Sequence, residues 1–460
     1  MRRQATPALQ PAPAAQPAPT PPPASPVPPT GSTTPTTPSA LSGPRRPEPS
    51  PGSLPCDTGT GTEGGTKCGA GTEVGAAVDG VLRAWLGERC AEANGVDARF
   101  GADVAGLVER LVLAGGKRLR PRFLWCGWRA GGSEERAEQA VLRVGAALEL
   151  LQACALVHDD LMDAAPLRRG LPSAHQAFAD RHRARGLGGA AREFGAAGAL
   201  LAGDLALVWA EDLWQEAELP APVRQRAGEQ WRAMRTEMVA GQYLDLYAQA
   251  AGDRSPAQAL RIAHLKAGLY TVQRPLGLGA AIGGAERPVR EGLERAGRCA
   301  GVAFQLRDDL LDVFGDPAVT GKPAGEDVRQ GKPTYLAAVG LHRARVGGHR
   351  TAEQVLVRAL GDRGLNAVAL ERVREVLTEL GARAVVEERI DTLAAEAVSC
   401  VAQAGLAADA ARELTALISA TVGPSATAQP SATAQPSATA RPSANARRPH
   451  GASGAGGVRA

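Results

Sequence analysis

Two Asp-Asp-x-x-Asp runs are the residues in this chain best suited to do chemistry: Asp159-Asp160-Leu161-Met162-Asp163 and Asp308-Asp309-Leu310-Leu311-Asp312. Each lies in an apolar segment of helical period, so its first and last carboxylates stand on one face, one turn apart. Carboxylates stacked on a mostly apolar helix repel one another and are costly to desolvate unless a cation sits between them. Hard oxygen ligands of this kind suit Mg²⁺, which keeps several waters and is held by one or two carboxylates together with substrate phosphates. A single run reads equally well as a solvated surface patch. Two runs, both in apolar helices, point to a metal site.

The residues around the runs supply amides and positive charge. Gln152 precedes Asp159 by 7 positions and Asp163 by 11, which brings all three to within about 20° of one direction on a helix. Gln305, Asp308 and Asp312 share a stripe in the same way. After the first run comes Arg168-Arg169-Gly170; after the second come Gly321-Lys322-Pro323 and Gly331-Lys332-Pro333. Paired guanidiniums clamp phosphate oxygens, and glycine-flanked lysines can bring ammonium groups over the carboxylates. Of the 52 basic residues only five are Lys. Lys67 lies in the low-complexity lead; Lys117, Lys266, Lys322 and Lys332 fall in or beside these motifs. In a chain that otherwise uses Arg, retained ammonium groups suggest sites that want a compact point charge.

Helices must position these groups. Helical period runs through residues 76–89, 104–113, 121–129, 134–162, 190–217, 222–250, 256–282, 287–314, 334–343, 351–360, 367–380 and 382–419, with no convincing alternating strand. Glycines in Gly115-Gly116-Lys117-Arg118-Leu119-Arg120-Pro121 end one helix, and Pro121 can open the next. The expected fold class is all-α, a single large bundle with its site on inward-facing helices.

Composition sets the bounds of that bundle. Residues 1–75, rich in Pro, Ala, Thr and Gly, cannot bury enough apolar surface to offset ordering, and are expected to be a disordered extension. Residues 423–460 carry a Pro-Ser-Ala-Thr-Ala-Gln repeat and read as a second disordered tail. The domain expected between them spans 76–422, enough for one substantial core. Met1-Arg2-Arg3 is not followed by an apolar stretch, so no secretory signal is read. The longest apolar candidate for a membrane span, 144–157, is interrupted by Glu149 and Gln152, so no transmembrane segment is expected. Seven cysteines, an odd number without Cys-x-x-Cys, argue against a disulfide framework or zinc site and for a cytoplasmic location. A formal charge of +4 with no aromatic-interleaved Arg run gives no reason to expect nucleic acid.

Taken together, the Gly-Gly-Lys-Arg-Leu-Arg-Pro stretch, Gln152 to Asp163, Arg168-Arg169-Gly170, Gly203-Asp204, Gly241-Gln242-Tyr243-Leu244-Asp245, Lys266 and Phe304 to Asp312 resemble the trans-isoprenyl diphosphate synthases, or polyprenyl synthetases, over residues 76–422. The resemblance implies an all-α homodimer whose two Asp-rich helices face each other across a cavity holding Mg²⁺ (three ions with substrate bound) and an allylic diphosphate. By matching positions, Asp159, Asp163 and Asp308 would bind metal. Arg168, Lys266, Gln305 and Lys322 would hold the allylic diphosphate. Lys117, Arg120, Gln152 and Arg169 would hold isopentenyl diphosphate, with Lys332 near both. Ala267 stands where the family often has Thr, and Pro333 where it more usually has Arg. The implied reaction extends an allylic diphosphate by one isopentenyl unit, with geranylgeranyl diphosphate the expected product, because Ala155, Cys154 and Leu151 leave no aromatic floor near Asp159. Farnesyl or longer products are the alternatives. A class I terpene cyclase and a regulatory synthase subunit fit less well: the first needs no Lys117–Arg120 site, and the second would be expected to lose Asp or Arg positions that are present here.

Overall fold

The computed structural model describes residues 70–132, 137–317 and 323–423, and these are almost entirely helical. The expected extensions lie outside these residues, apart from the last few before position 76 and Gly423, as do Lys322 and residues 134–136. The first helix, α1, spans Ala70–Val96. It starts ahead of the expected boundary, and Val74 is already buried. A short helical and π-type passage leads into α2 (Gly106–Leu113), followed by α3 (Leu119–Ala130), α4 (Glu138–Met162), α5 (Ala174–Ala184), α6 (Ala191–Glu216), α7 (Ala221–Ala251) and α8 (Pro256–Ala263). A π-helical segment, His264–Gln273, joins α8 to α9 (Arg274–Ile282), and α10 spans Arg287–Phe314. The chain closes with α11 (Glu326–Gln330), α12 (Tyr335–Val346), α13 (Arg350–Ala359), α14 (Ala367–Glu379), α15 (Ala382–Gln403) and α16 (Ala408–Val422).

Local chemistry sets several of these limits. Ser255, Thr334 and Asn366 cap α8, α12 and α14, each side-chain oxygen accepting from a backbone N–H three residues on, which satisfies a donor the first turn leaves unpaired. The single helix expected over 382–419 is two helices. Apolar residues continue on both sides of the break, but Gly405 turns left-handed at φ 72° and starts a new direction. The only β structure among the described residues is a hairpin, β1 (Leu167–Arg168) paired with β2 (Leu171–Pro172). Its two central residues, Arg169 (φ 54°) and Gly170 (φ 76°), both have the positive φ of a tight hairpin turn.

Two apolar clusters form the core. One gathers α1, α2, α4, α6 and α7; the other gathers α10 and α12 to α16. α3 serves both, with Leu124 and Trp128 in the first and Phe123 and Cys126 in the second. α4 lies along α6 and is apolar on nearly all sides, as a helix buried on all sides must be. For that reason the expectation about membrane spans needs correcting: α4 and α6 are both long and apolar enough to cross a bilayer. The interruptions at Glu149 and Gln152 are too few to offset their neighbours. In α4 most of the apolar window is buried inside the fold, whereas in α6 less than half is.

Candidate active site

The first Asp run occupies the last turn of α4, with Asp163 as the C-terminal cap residue. Asp159 Oδ1 accepts from Lys266 Nζ at 3.0 Å and from Gln242 Nε2 at 3.3 Å. Lys266 also binds Asp245 Oδ2 at 2.6 Å. Two local features deliver that lysine. It projects from the π-helical segment, whose widened turn is a common device at functional sites. Its backbone also lies against Gly241, where an added Cβ would stand 2.4 Å from the Lys266 nitrogen. The pattern Gly241-Gln242-x-x-Asp245 therefore has a mechanical reading: glycine admits the neighbouring backbone, and the two polar residues then reach Asp159 and Lys266.

Each remaining carboxylate of the run has its own cation. Arg168, on β1, donates through Nε to both Asp160 oxygens at 3.0 Å and through Nη2 to Oδ1, and lies 3.6 Å from Asp159. Lys332 Nζ contacts Asp163 Oδ2 at 2.8 Å and Asp327 Oδ1 at 3.5 Å. Burial works to raise Asp159, but Lys266 and then Lys332 outweigh it and pull the carboxyl down to about 2. At Asp163 and Asp160 burial wins and raises the carboxyls despite Lys332 and Arg168. The two lysines respond in the opposite sense: burial works against their charge, yet the surrounding carboxylates hold both above the ordinary lysine range.

The second run faces these groups through α11 and the Gly331-Lys332 turn that follows it. Asp312 Oδ2 accepts the Asp327 backbone N–H at 3.1 Å. Burial, reinforced by the Asp327 carboxylate, pushes Asp312 up to about 8. Asp309 is buried and accepts from Gln305 Nε2 at 2.7 Å. The expected stripe is therefore split: the Gln305 amide is turned to the middle Asp of its run, not toward an open diphosphate position. Asp308 is exposed on α10.

The cationic loop between α2 and α3 is fixed by a residue the motif reading passed over. Arg118 is 7% exposed and left-handed at φ 46°. Its guanidinium donates to Glu149 Oε2 at 2.6 Å, Asp79 Oδ1 at 2.9 Å and the Val112 carbonyl at 2.8 Å. This pins the loop to α1, α2 and α4 and sends its two basic neighbours in different directions. Lys117 is exposed. Arg120 donates to Thr271 Oγ1 at 3.0 Å and stacks over the Tyr270 ring, 4.2 Å from its centroid. Arg169 bonds the Gly115 carbonyl, which joins the hairpin to this loop. The Arg120 Nε and Gln152 Oε1 atoms are buried without a partner, and such orphans call for a ligand or water.

The sequence profile of the polyprenyl synthetase family matches residues 103–376. The chain belongs to that family. It is 34% identical over 270 residues to geranylgeranyl pyrophosphate synthase 11, chloroplastic, of Arabidopsis thaliana, covering 56% of this chain and 70% of that one. To farnesyl diphosphate synthase of Escherichia coli K12 it is 32% identical over 281 residues, covering 58% and 86%. The structure of geranylgeranyl pyrophosphate synthase from Corynebacterium glutamicum, complexed with isoprenyl diphosphate and magnesium, superposes with a TM-score of 0.74 at 36% identity, covering 76% and 98%. The protein is thus an all-α prenyl transferase of the geranylgeranyl diphosphate synthase-like kind.

Magnesium use is general among such synthases, and the donor set here fits it. Ammonium groups already sit on Asp159 and Asp163 where a cation is called for, and Asp312 and Asp327 crowd each other without a full counter-charge. Among the described residues no three acidic, His or Cys side chains form a ready-made cage. In this synthase Asp245, Gln242 and Asp327 join the site although no role was read for them. The first two sit in the quoted Gly241–Asp245 motif, whose i, i+3 spacing was the available signal; Asp327, five residues ahead of Lys332, had none.

Proposed function

We propose that this synthase condenses isopentenyl diphosphate with an allylic diphosphate in the cytoplasm, with geranylgeranyl diphosphate as its main product, and that Asp159, Asp163 and Asp308 bind three magnesium ions with substrate. The observation that carries the reading is the pair of ammonium groups, Lys266 and Lys332, lying on the first and last carboxylates of one Asp run. A diphosphate with its cations exchanges for such contacts at little electrostatic cost: the cations replace the ammonium groups on the carboxylates, and the diphosphate replaces the carboxylates on the ammonium groups. Magnesium, when bound, supplies charge neutralisation for the departing pyrophosphate. Lys266, Arg168 and Lys332, with Lys322, hold the allylic diphosphate and stabilise negative charge as its carbon–oxygen bond breaks. Lys117, Arg120, Arg169 and Gln152 hold isopentenyl diphosphate, whose double bond attacks the allylic cation. A carbon–carbon bond forms, and the proton then lost passes to the released pyrophosphate.

Outward apolar residues on α6 (Leu200, Leu201, Val208) and α7 (Val239, Tyr243, Tyr247) support a homodimer, since patches of that kind mark interfaces. The same face accounts for the apolar length of α6 without a transmembrane role. Residues 76–422 constitute the catalytic domain in this reading.

Product length is set below Asp159. Cys154 Sγ lies 3.7 Å from His158 Nδ1, and His158 Nε2 lies 3.3 Å from the Leu200 carbonyl. Cys154 therefore faces α6, which leaves Ala155 and then Leu151 beneath the carboxylate. Ala155→Phe raises the floor by one turn, about 5 Å, and should shift products from geranylgeranyl toward farnesyl diphosphate. Chromatography of dephosphorylated products checks this; an unchanged distribution places the floor elsewhere.

A further inference from the structure

Arg363 reaches the first Asp run from a part of the chain that contains neither run. It stands in the seven-residue connection between α13 and α14, and its Nη2 donates to the Asp163 carbonyl at 3.3 Å, across 200 residues of sequence. The connection is firmly held. Gly361 N donates to the Val328 carbonyl at 2.9 Å, Arg329 Nε donates to the Leu365 carbonyl at 3.1 Å, and Leu365 is buried. Both anchors, Val328 and Arg329, lie between Asp327 and Lys332. The same short loop thus fixes the segment that carries Lys332 and presents Arg363 to the residue that Lys332 contacts.

We propose that Arg363 is a further binding residue for the organic diphosphate that occupies the first Asp run, an inference that rests on the function proposed above. A helix-capping role alone leaves most of the group unused. The C-terminal end of a helix does favour a cation, but a guanidinium has five N–H donors and a full charge. Here one donor meets a neutral carbonyl, and among the described residues no carboxylate pairs with Arg363 within salt-bridge distance. The Asp163 carboxylate is already taken by Lys332. A diphosphate held at that carboxylate through a cation arrives beside an uncompensated positive charge with donors to spare, the setting in which Arg recognises phosphate oxygens.

Equilibrium binding separates capping from diphosphate recognition. Arg363→Gln removes the charge and leaves an N–H donor on a side chain two bonds shorter. Calorimetry with Mg²⁺ and farnesyl S-thiolodiphosphate, which does not ionise, is compared with isopentenyl diphosphate alone. Arg363→Gln and Arg363→Ala should weaken the thiolodiphosphate by about tenfold, the scale of one charge-assisted contact. Arg363→Lys should recover part of the loss, isopentenyl affinity should not move, and the Arg363→Gln melting temperature should equal that of the wild type. Wild-type affinity in Arg363→Gln, or equal weakening of both ligands, overturns the proposal; so does a wild type that does not bind the thiolodiphosphate. A wild type that binds it yet forms no isopentenyl-dependent product contradicts the proposed function and leaves the comparison at Arg363 decisive.

Discussion

Asp159 and Asp163 each share an ammonium group with a second carboxylate: Lys266 also binds Asp245, and Lys332 also meets Asp327. Truncating either Asp therefore does not strand a buried charge, which is the usual way such changes unfold a protein. Asp159→Ala and Asp163→Ala should keep the helical fold and its melting temperature nearly unchanged, and lower turnover by several orders of magnitude. Near-normal turnover at saturating Mg²⁺ removes these residues from the metal site. Asp312 behaves differently. Its folded value of about 8 lies above the ordinary 3.8, so the fold favours its protonated form. That contribution is fully present below pH 3.8 and is lost as pH rises through 8. Asp159, held at about 2, acts in the opposite sense, its contribution being lost only as pH falls from 3.8 through about 2. Without magnesium, the melting temperature should decline as pH rises toward and past 8. Mg²⁺ or Asp312→Asn should flatten the decline; an equal decline in the variant shows that Asp312 is not its source.

At the scale of elements, the loop between α2 and α3 depends on one buried cation. Removing Arg118 leaves Glu149, itself 8% exposed, without its partner, a loss of about 3–5 kcal/mol for a buried pair. Arg118→Met should lower the melting temperature markedly and raise the KM for isopentenyl diphosphate more than that for the allylic substrate, because Lys117 and Arg120 flank the pinned residue. Equal KM changes for both substrates argue against a positioning role. The sequence made α4 and α10 legible, since their apolar period and their carboxylates coincide, and it made Lys266 and Lys332 legible through the scarcity of Lys. The break at Gly405 was hidden by the apolar residues that flank it closely, Ala404 and Leu406 among them. Arg118 was hidden between two residues with louder roles, and Asp327 and Arg363 because they reach the site only through tertiary folding of short segments.

At the scale of the molecule, the described core runs from Val74 on α1 to Val422 on α16. A protein spanning residues 70–423 should retain turnover and melting temperature, measured side by side with the full chain; a large loss in either shows that an extension contributes to the fold or the site. The central claim is that one site carries out a two-substrate, magnesium-dependent prenyl transfer. Pyrophosphate release tests it most directly, measured with farnesyl and isopentenyl diphosphates together, with each alone, and with Mg²⁺ withheld by a chelator. The predicted result is release only when both diphosphates and Mg²⁺ are present. Release from farnesyl diphosphate alone, as a cyclase would give, or none under any condition, contradicts the account.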